Sequence, residues 1–170
     1  MRKPKEWKGL PIVIFGISGN SQEVAFLLEE INNVSPVPVF SFLGFVGEKE
    51  VEMGTPVLGY RVITCDSRFQ DFSSSFSQLG VVLPFGFPKV KRRVWELSLL
   101  EGKNLVFPNL IHPSAAAHRA SMKMGNGNII QSGVKITTNV GIGDFNFLNQ
   151  ACTIAHDVRL GSFCVINPLA

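Results

Sequence analysis

Two adjacent polar residues, His156 and Asp157, interrupt a stretch from Cys152 to Gly161 that otherwise alternates apolar residues with turns. An imidazole has a reference pKa of about 6.5, so near neutral pH it can take a proton from a nucleophile. A neighbouring carboxylate can fix the tautomer of the ring. The pair is thus a candidate for a general base with its orienting acid, although the spacing alone favours a surface histidine beside a solvated aspartate.

A second candidate is the glycine-containing turn "GISGNS", in which Gly16, Ser18, Gly19 and Asn20 precede a helical pattern. Glycines allow close backbone approach, and the first N–H groups of a helix favour anions. The turn is interpreted either as a cradle for a phosphate or ribose, or as a tight connection between a strand and a helix. We expect Asn20 or Ser21 to cap the helix.

This turn departs from the dinucleotide-binding fingerprint. The fingerprint has three glycines where this chain has Gly16, Ser18 and Ser21, and an acid some 20 residues later that grips a ribose. After Val37, in the second predicted strand, the first acid is Glu48. The sequence therefore argues against a nicotinamide dehydrogenase.

Two further polar positions are weaker candidates for ligand contacts. Lys89, Lys91 and Arg92 fall in the first turn of a predicted helix, where cations oppose the helix dipole. An anionic ligand would explain them, and Arg92 is the predicted phosphate contact because a guanidinium binds phosphate with two donors. A solvated basic face is the alternative. Asn149 follows an apolar position, so it can reach the same surface as His156 or satisfy turn amides.

The first part of the chain alternates strand and helix patterns. Apolar runs predict strands at 11–15, 37–46 and 80–85, and residues 21–32 have a helical apolar face at Val24, Leu27, Leu28 and Ile31. A second helical pattern covers the region of Val90, Val94 and Leu97, with Gly102 placed to end it. This alternation predicts a parallel sheet flanked by helices over residues 10–110.

From Met124 onward the period changes to six residues. The aliphatic positions that keep this period are Met124, Ile130, Ile136, Ile142, Leu148, Ile154, Leu160 and Ile166. A glycine follows every third of them, which gives a second period of eighteen. Three six-residue units form one turn of a triangular coil with one short strand per side, so the sequence predicts a β-helix with these aliphatics inside it.

The order of these parts resembles one family. "IVIFGISGNSQEVAFLLEE", "GFV", "LIHPSA" and "LNQACTIAHD" are similar to segments of the sialic acid O-acetyltransferase and nucleotide-aminosugar N-acetyltransferase family of hexapeptide-repeat proteins. The resemblance implies an α/β N-terminal Rossmann-like domain (residues 1–105) followed by a left-handed parallel β-helix (residues 106–170). It also implies a homotrimer.

The resemblance further implies an activity. The expected reaction is acetyl-CoA-dependent acetylation of the amino or hydroxyl group of a nucleotide-linked sugar, as in polysaccharide biosynthesis. His156 would be the base and Asp157 its partner, and acetyl-CoA would lie in a groove between subunits. The N-terminal turn would hold the nucleotide sugar, although Asn20 and Ser21 stand where the family commonly has histidine and glycine.

The repeats begin near Ala116 and complete fewer than three coils by Ala170, so we expect the β-helix to be truncated. A catalytically silent sugar-nucleotide-binding or assembly module is therefore the alternative function.

Composition and charge bear on three further kinds of function: nucleic-acid binding, membrane insertion and metal binding. The chain of 170 residues has a net charge of +3, which is too small to imply nucleic acid. It has no apolar run of membrane-spanning length, and we expect a cytoplasmic protein without membrane insertion. Its three cysteines lack metal-site spacing, and no metal is expected.

Overall fold

The computed structural model describes residues 8–87, 89, 91, 92, 95 and 104–170. Within these residues an α/β region comes first and a coil of two-residue strands follows, as the change of period predicts. The helix predicted around Val90, Val94 and Leu97 contains the helical residues Lys89, Lys91, Arg92 and Trp95. The other residues of that prediction, including Gly102, lie outside the described residues. No helix in the described part of the chain is long and apolar enough to cross a bilayer.

The α/β region contains one sheet of six strands. The strands are β1 (Leu10–Phe15), β2 (Phe40–Gly47), β3 (Pro56–Val57), β4 (Tyr60–Cys65), β5 (Leu79–Val82) and β6 (Leu105–Val106). Their order is β3-β4-β2-β1-β5-β6, and every pairing is parallel except β3 with β4. The predicted parallel sheet is confirmed, but β2 begins after Val39 because the Asn32 side chain binds the backbone of Val39 and Phe40.

Helix α1 (Gly19–Asn33) connects β1 with β2, and helix α2 (Phe69–Ser74) lies between β4 and β5. The predicted apolar face of α1 is confirmed, since Val24, Leu27 and Leu28 are buried. The expected cap is wrong, because Ser18 occupies the N-cap position. Gly16, with φ 79°, turns the chain so tightly that the helix starts at once. Ser21 is consequently inside the helix, where its buried hydroxyl donates to the Phe15 carbonyl.

Ten short strands then wind into a three-sided coil. They are β7 (Leu110–Ile111), β8 (Ala116–Ala117), β9 (Lys123–Met124), β10 (Ile129–Ile130), β11 (Lys135–Ile136), β12 (Gly141–Ile142), β13 (Phe147–Leu148), β14 (Thr153–Ile154), β15 (Arg159–Leu160) and β16 (Val165–Ile166). Strands three apart in sequence pair in parallel and form the sides β7-β10-β13-β16, β8-β11-β14 and β9-β12-β15. The eight six-periodic aliphatics are the second residues of β9 to β16 and pack in one core. The predicted β-helix is confirmed.

The first coil differs from the prediction in its register. Lys135 pairs with Ala116, nineteen residues earlier, whereas Gly141 pairs with Lys123, eighteen residues earlier. A short 3-10 turn, Arg119–Ser121, supplies the extra residue. Counting back six residues from Met124 would place His118 on the inward register, but the extra residue gives that position to Ala117. The coil also begins earlier than Ala116, at β7.

One corner of the coil is held by stacked asparagines. The Oδ1 atom of Asn109 accepts from the backbone N–H of Asn128, and Oδ1 of Asn128 accepts from that of Asn146. Oδ1 of Asn146 then accepts from the backbone N–H of Cys164 at 2.8 Å. Asn128 and Asn146 are fully buried. Each of these three backbone N–H groups thus has an amide partner one coil below it.

The side β7-β10-β13-β16 packs against the α/β region. Its outward residues Leu110, Ile129 and Phe147 are buried in one cluster with Ile12 and Leu28, and Val165 contacts the same cluster. On the other two sides the outward residues are small, polar or charged, such as Lys135, Thr153 and Arg159, and most are exposed. The apolar core of the α/β region therefore continues across this side of the β-helix.

Lys91 and Trp95 make a second contact between the two regions. Trp95 packs against Phe145 and the stacked Phe163, which occupy one corner of successive coils. Lys91 is 1% exposed and its Nζ donates to the Phe145 carbonyl at 2.8 Å. Lys91 is thus part of the packing between the regions, which corrects its placement on a basic face toward an anion.

Burial lowers the pKa of Lys91 from 10.5 to about 8. In the unfolded chain the Lys91 amine keeps its proton up to about pH 10.5. Between about pH 8 and 10.5 unfolding therefore takes up a proton, and the free energy of unfolding rises with pH. We expect urea unfolding between about pH 8 and 9.5 to show this rise in the native protein and a smaller one in Lys91→Met. Parallel pH profiles for the two proteins would contradict the assignment.

Candidate functional site

A cleft of about 460 Å³ opens at the carboxyl end of the parallel sheet. Its volume lies in the range of about 300–1,000 Å³ that is typical of small-molecule sites. The strand order reverses at β1, because β2 and β4 extend to one side of it and β5 and β6 to the other. Such a reversal opens a crevice at the carboxyl ends of the strands, where α/β sheets bind ligands.

The predicted turn forms one wall of this cleft. Gly16, Ser18, Gly19 and Asn20 all line it. The turn leads directly into α1, so the free N–H groups of the first helical turn lie at the same wall. No atom of the other described residues lies within 4 Å of where a Cβ on Gly19 would be, so these residues leave the cleft open here. The structure therefore brings these four candidates together in one cleft.

Two acids, Glu48 and Glu52, form a second wall of the cleft. Glu48 follows β2 directly, because β2 runs to Gly47, one residue beyond the predicted end of this strand at Val46. The second strand therefore has an acid at its carboxyl end, which its predicted bounds did not show. One carboxylate oxygen of Glu52 accepts from the backbone N–H groups of Glu48 and Lys49 and shapes the turn. Glu48 is exposed.

The third wall follows β5. Pro84, Phe85, Gly86 and Phe87 line the cleft, and the Phe87 ring is 76% exposed at its rim. The predicted strand 80–85 includes Pro84 and Phe85, and none of the four residues was predicted to contact a ligand. Because β5 is parallel to β1 and ends at Val82, the residues after it must emerge at the same edge as the glycine turn. That topological rule was the signal that could have found them.

The predicted phosphate contact, Arg92, is helical and exposed. It is not among the residues that line the cleft. Its role toward an anionic ligand stays a prediction.

The His156–Asp157 pair lies on the outside of the β-helix, just after β14. The His156 side chain is 75% exposed, and its Nδ1–H donates to Asp157 Oδ2 at 2.8 Å. Every sixth residue of the coil has a left-handed backbone at a corner, and Asp157, with φ 63°, is one of them. Its N–H donates to the Thr138 carbonyl. Asn139 donates to the other carboxylate oxygen. These bonds, that of His156 first, hold the pKa of Asp157 below its usual range.

This arrangement selects one tautomer of the ring. Asp157 is ionised at neutral pH and can only accept hydrogen bonds, so the proton of a neutral His156 ring belongs on Nδ1. Nε2 then carries the lone pair. The ring is thus a base with a defined accepting atom on the exterior of the coil.

Asn149 also lies on the coil, directly after β13. Its Nδ2 donates to the Ile166 carbonyl at 2.8 Å, one coil further on. This contact is the one expected of an asparagine that satisfies turn amides and carbonyls. A substrate contact by Asn149 stays a prediction.

The other two histidines have local partners. His112 Nδ1 accepts from the N–H of Ser114, and its Nε2 lies 3.8 Å from a Glu30 carboxylate oxygen on α1. His118 Nδ1 lies 2.7 Å from the Ser121 hydroxyl. Both histidines thus have contacts that hold turns in place.

Comparisons with known proteins point to one group. No family model matches the chain. A GDP-perosamine N-acetyltransferase from Escherichia coli O157:H7 is 34% identical over 80 residues, which is 47% of this chain and 35% of that relative. The match therefore spans about a third of the relative's length.

Solved structures extend the likeness to nearly the whole chain. PerB from Caulobacter crescentus, in complex with CoA and GDP-perosamine, superimposes with a TM-score of 0.78 at 23% identity, over 93% of this chain and 69% of that one. The acetyltransferase domain of PglB from Neisseria gonorrhoeae FA1090, in complex with acetyl coenzyme A, has a TM-score of 0.74 at 23% identity, over 94% and 71%. In sequence and in fold the chain is thus similar to the nucleotide-aminosugar acetyltransferases, which confirms the resemblance that its repeats and motifs predicted.

Proposed function

We propose that the protein is an acetyltransferase that transfers an acetyl group from acetyl-CoA to the amino, or hydroxyl, group of a nucleotide-linked sugar. The observation that carries this proposal is the exposed His156 ring on a hexapeptide-repeat coil, with Nδ1 bound to Asp157 and Nε2 left to accept a proton. The GDP-perosamine N-acetyltransferase relative and the CoA complex of PerB support the donor and the acceptor class.

In the proposed mechanism the nitrogen of the acceptor amine attacks the thioester carbonyl carbon, and His156 Nε2 takes a proton from this amine. Asp157 stabilises the imidazolium that forms. The tetrahedral intermediate then collapses, the carbon–sulfur bond breaks, and the proton passes from His156 to the CoA sulfur. The acetylated sugar and CoA are the products, and the neutral ring is restored.

The cleft at the carboxyl end of the sheet is the proposed acceptor site. In this proposal residues 1–105 form a Rossmann-like domain that holds the nucleotide sugar, and residues 106–170 form a left-handed β-helix. Gly16, Ser18, Gly19 and Asn20 would contact the nucleotide from the α1 side, and the N–H groups of α1 suit its phosphates. Arg92 and Asn149 are further proposed substrate contacts.

His156 is not among the residues that line the cleft, so within one chain the base and the acceptor site are separate. We therefore propose a homotrimer, with acetyl-CoA in the groove between neighbouring β-helices. In such an assembly the cleft of one subunit can face the His156 of another. We also propose that the protein is cytoplasmic. No metal is part of this chemistry.

The test is a thiol-release assay with acetyl-CoA and a panel of UDP-, GDP- and CMP-linked amino sugars. We expect release with a single acceptor class, together with acetylated sugar by mass spectrometry. Absence of release from the folded protein, with retained binding of the nucleotide sugar, would favour a catalytically silent sugar-nucleotide-binding module instead.

The acceptor site can be tested separately through Glu48. Glu48 lines the cleft directly after β2, and a carboxylate at this place can accept from ribose hydroxyls. Because hydrogen bonds to charged groups contribute about 1.5–3 kcal/mol, we expect Glu48→Gln to weaken nucleotide-sugar binding by about tenfold or more in calorimetry. Glu50→Gln is the matched control, since Glu50 lies in the same turn but pairs with Arg68. Equal affinities for the two variants would refute the assignment.

A further inference from the structure

The corner that holds Asp157 is built as a column through three coils. Asn139 lies eighteen residues before Asp157 and, like it, has a left-handed backbone, with φ 57°. Eighteen residues earlier again is Ser121, whose hydroxyl accepts from the Asn139 N–H at 2.9 Å. Asn139 is thus fixed from below by its backbone, and its side chain is free to serve the coil above.

The Asn139 amide can take only one orientation. Its Nδ2 donates to Asp157 Oδ1, and its Oδ1 lies 3.4 Å from an Arg159 guanidinium nitrogen. A second Arg159 nitrogen donates to the Asn139 carbonyl. A guanidinium has only donors and a carboxylate has only acceptors, so flipping the amide would break both contacts. Arg159 thereby keeps the Nδ2 of Asn139 aimed at Asp157.

The reach of Arg159 depends on a glycine beneath it. Gly141 pairs with Arg159 on neighbouring strands of one side of the coil. A Cβ at Gly141 would lie 2.9 Å from Arg159 Cδ, so a larger residue requires the arginine side chain to shift. The Arg159 side chain therefore lies over Gly141, against the space that a Cβ would occupy.

We propose that Asn139, held by Arg159 across Gly141, is a positioning residue that keeps the Asp157 carboxylate on Nδ1 of His156. With Oδ1 bound to Asn139, the carboxylate cannot rotate freely, and Oδ2 stays on the ring. The base then keeps Nε2 as its accepting atom. This inference rests on the proposed role of His156, but its geometric part concerns the ring tautomer and can be measured without any substrate.

The test uses Asn139→Gly and Gly141→Ala. Glycine at 139 preserves the left-handed corner, as Gly127 and Gly133 do at the equivalent corners of the coil. Gly161→Ala is the matched control for Gly141→Ala, because in the part of the chain that the structure describes no other residue lies within 4 Å of where its Cβ would be. The chain has three histidines, so the imidazole nitrogens of His156 can be assigned by ¹⁵N NMR.

We expect the share of the Nδ1–H tautomer of His156 to fall at least twofold in both variants and to stay unchanged in Gly161→Ala. In the acetylation assay we expect kcat to fall about tenfold, with the KM for acetyl-CoA changed less than twofold, because the loss is one of alignment. An unchanged tautomer in either variant would overturn the proposal, whatever the activity.

If the tautomer shifts in both variants while the native protein has no acetyltransferase activity, the positioning role of Asn139 is supported. The same result would count against the proposed function.

Discussion

Replacing His156 with alanine is expected to lower kcat by about 10²–10⁴-fold, the usual contribution of a positioned general base. The KM for acetyl-CoA should change little, because the ring acts on the acceptor amine rather than on the donor's nucleotide. The measurement is steady-state thiol release with the acceptor found in the panel assay. Raising the pH should restore part of the lost rate, since more of the amine is then unprotonated without a base.

The structure predicts that this variant keeps its fold. The His156 side chain is 75% exposed and its contact is with the neighbouring Asp157, so the melting temperature should stay within about a degree of the native value. Thr138→Ala is the matched control, because Thr138 holds the same corner position one coil earlier. A His156→Ala protein with near-native kcat would show that the pair is only a solvated surface contact.

Replacing Phe147 with alanine is expected to lower the free energy of unfolding by about 3–5 kcal/mol, the usual cost of removing a buried phenylalanine ring. Phe147 is fully buried and belongs to the cluster that joins α1 and β1 to the β-helix. Since domains are stable by only about 5–15 kcal/mol, a large part of the stability would be lost. Equilibrium urea unfolding measures the change.

Thr153→Ala is the control for this substitution. Thr153 has the equivalent outward position on β14, but its side of the coil is exposed and does not face α1. We expect it to change the free energy of unfolding by less than about 0.5 kcal/mol. A loss below 1 kcal/mol for Phe147→Ala would mean that the two regions do not depend on this shared core.

The β-helix was predictable because its signal is repeated and local. Inward aliphatics recur from Met124 to Ile166 at every strand, so each coil supplies independent evidence for the same geometry. The register failed only where a single residue is inserted, in the turn Arg119–Ser121. This insertion lies in the first coil, so no earlier coil in the sequence shows that the register changes there.

The outward positions carried a signal that periodicity alone did not extract. On one side of the coil they are Leu110, Ile129, Phe147 and Val165, all apolar, and this side packs against the α/β region. Sorting outward residues by side, rather than along the chain, would have predicted the contact. The predicted boundary at residue 105 falls within β6, which pairs with β5.

His156, Asp157 and the glycine turn could be proposed from the sequence, since their residue types and spacing already suggest a base and a ligand-binding turn. The repeat likewise established the coil. The acids of the cleft could not be placed in this way, because the role of Glu48 depends on the exact residue where β2 ends.

The contacts of Lys91 and Asn139 could be found only from the tertiary structure, for a different reason. Lys91 is buried by a coil corner 54 residues away in sequence, and Asn139 serves a residue eighteen positions later. Burial and hydrogen-bond partners of this kind arise from chain segments that meet only after folding. Residue type and local spacing therefore proposed the candidate base, and long-range packing determined which side chains contact it and its neighbours.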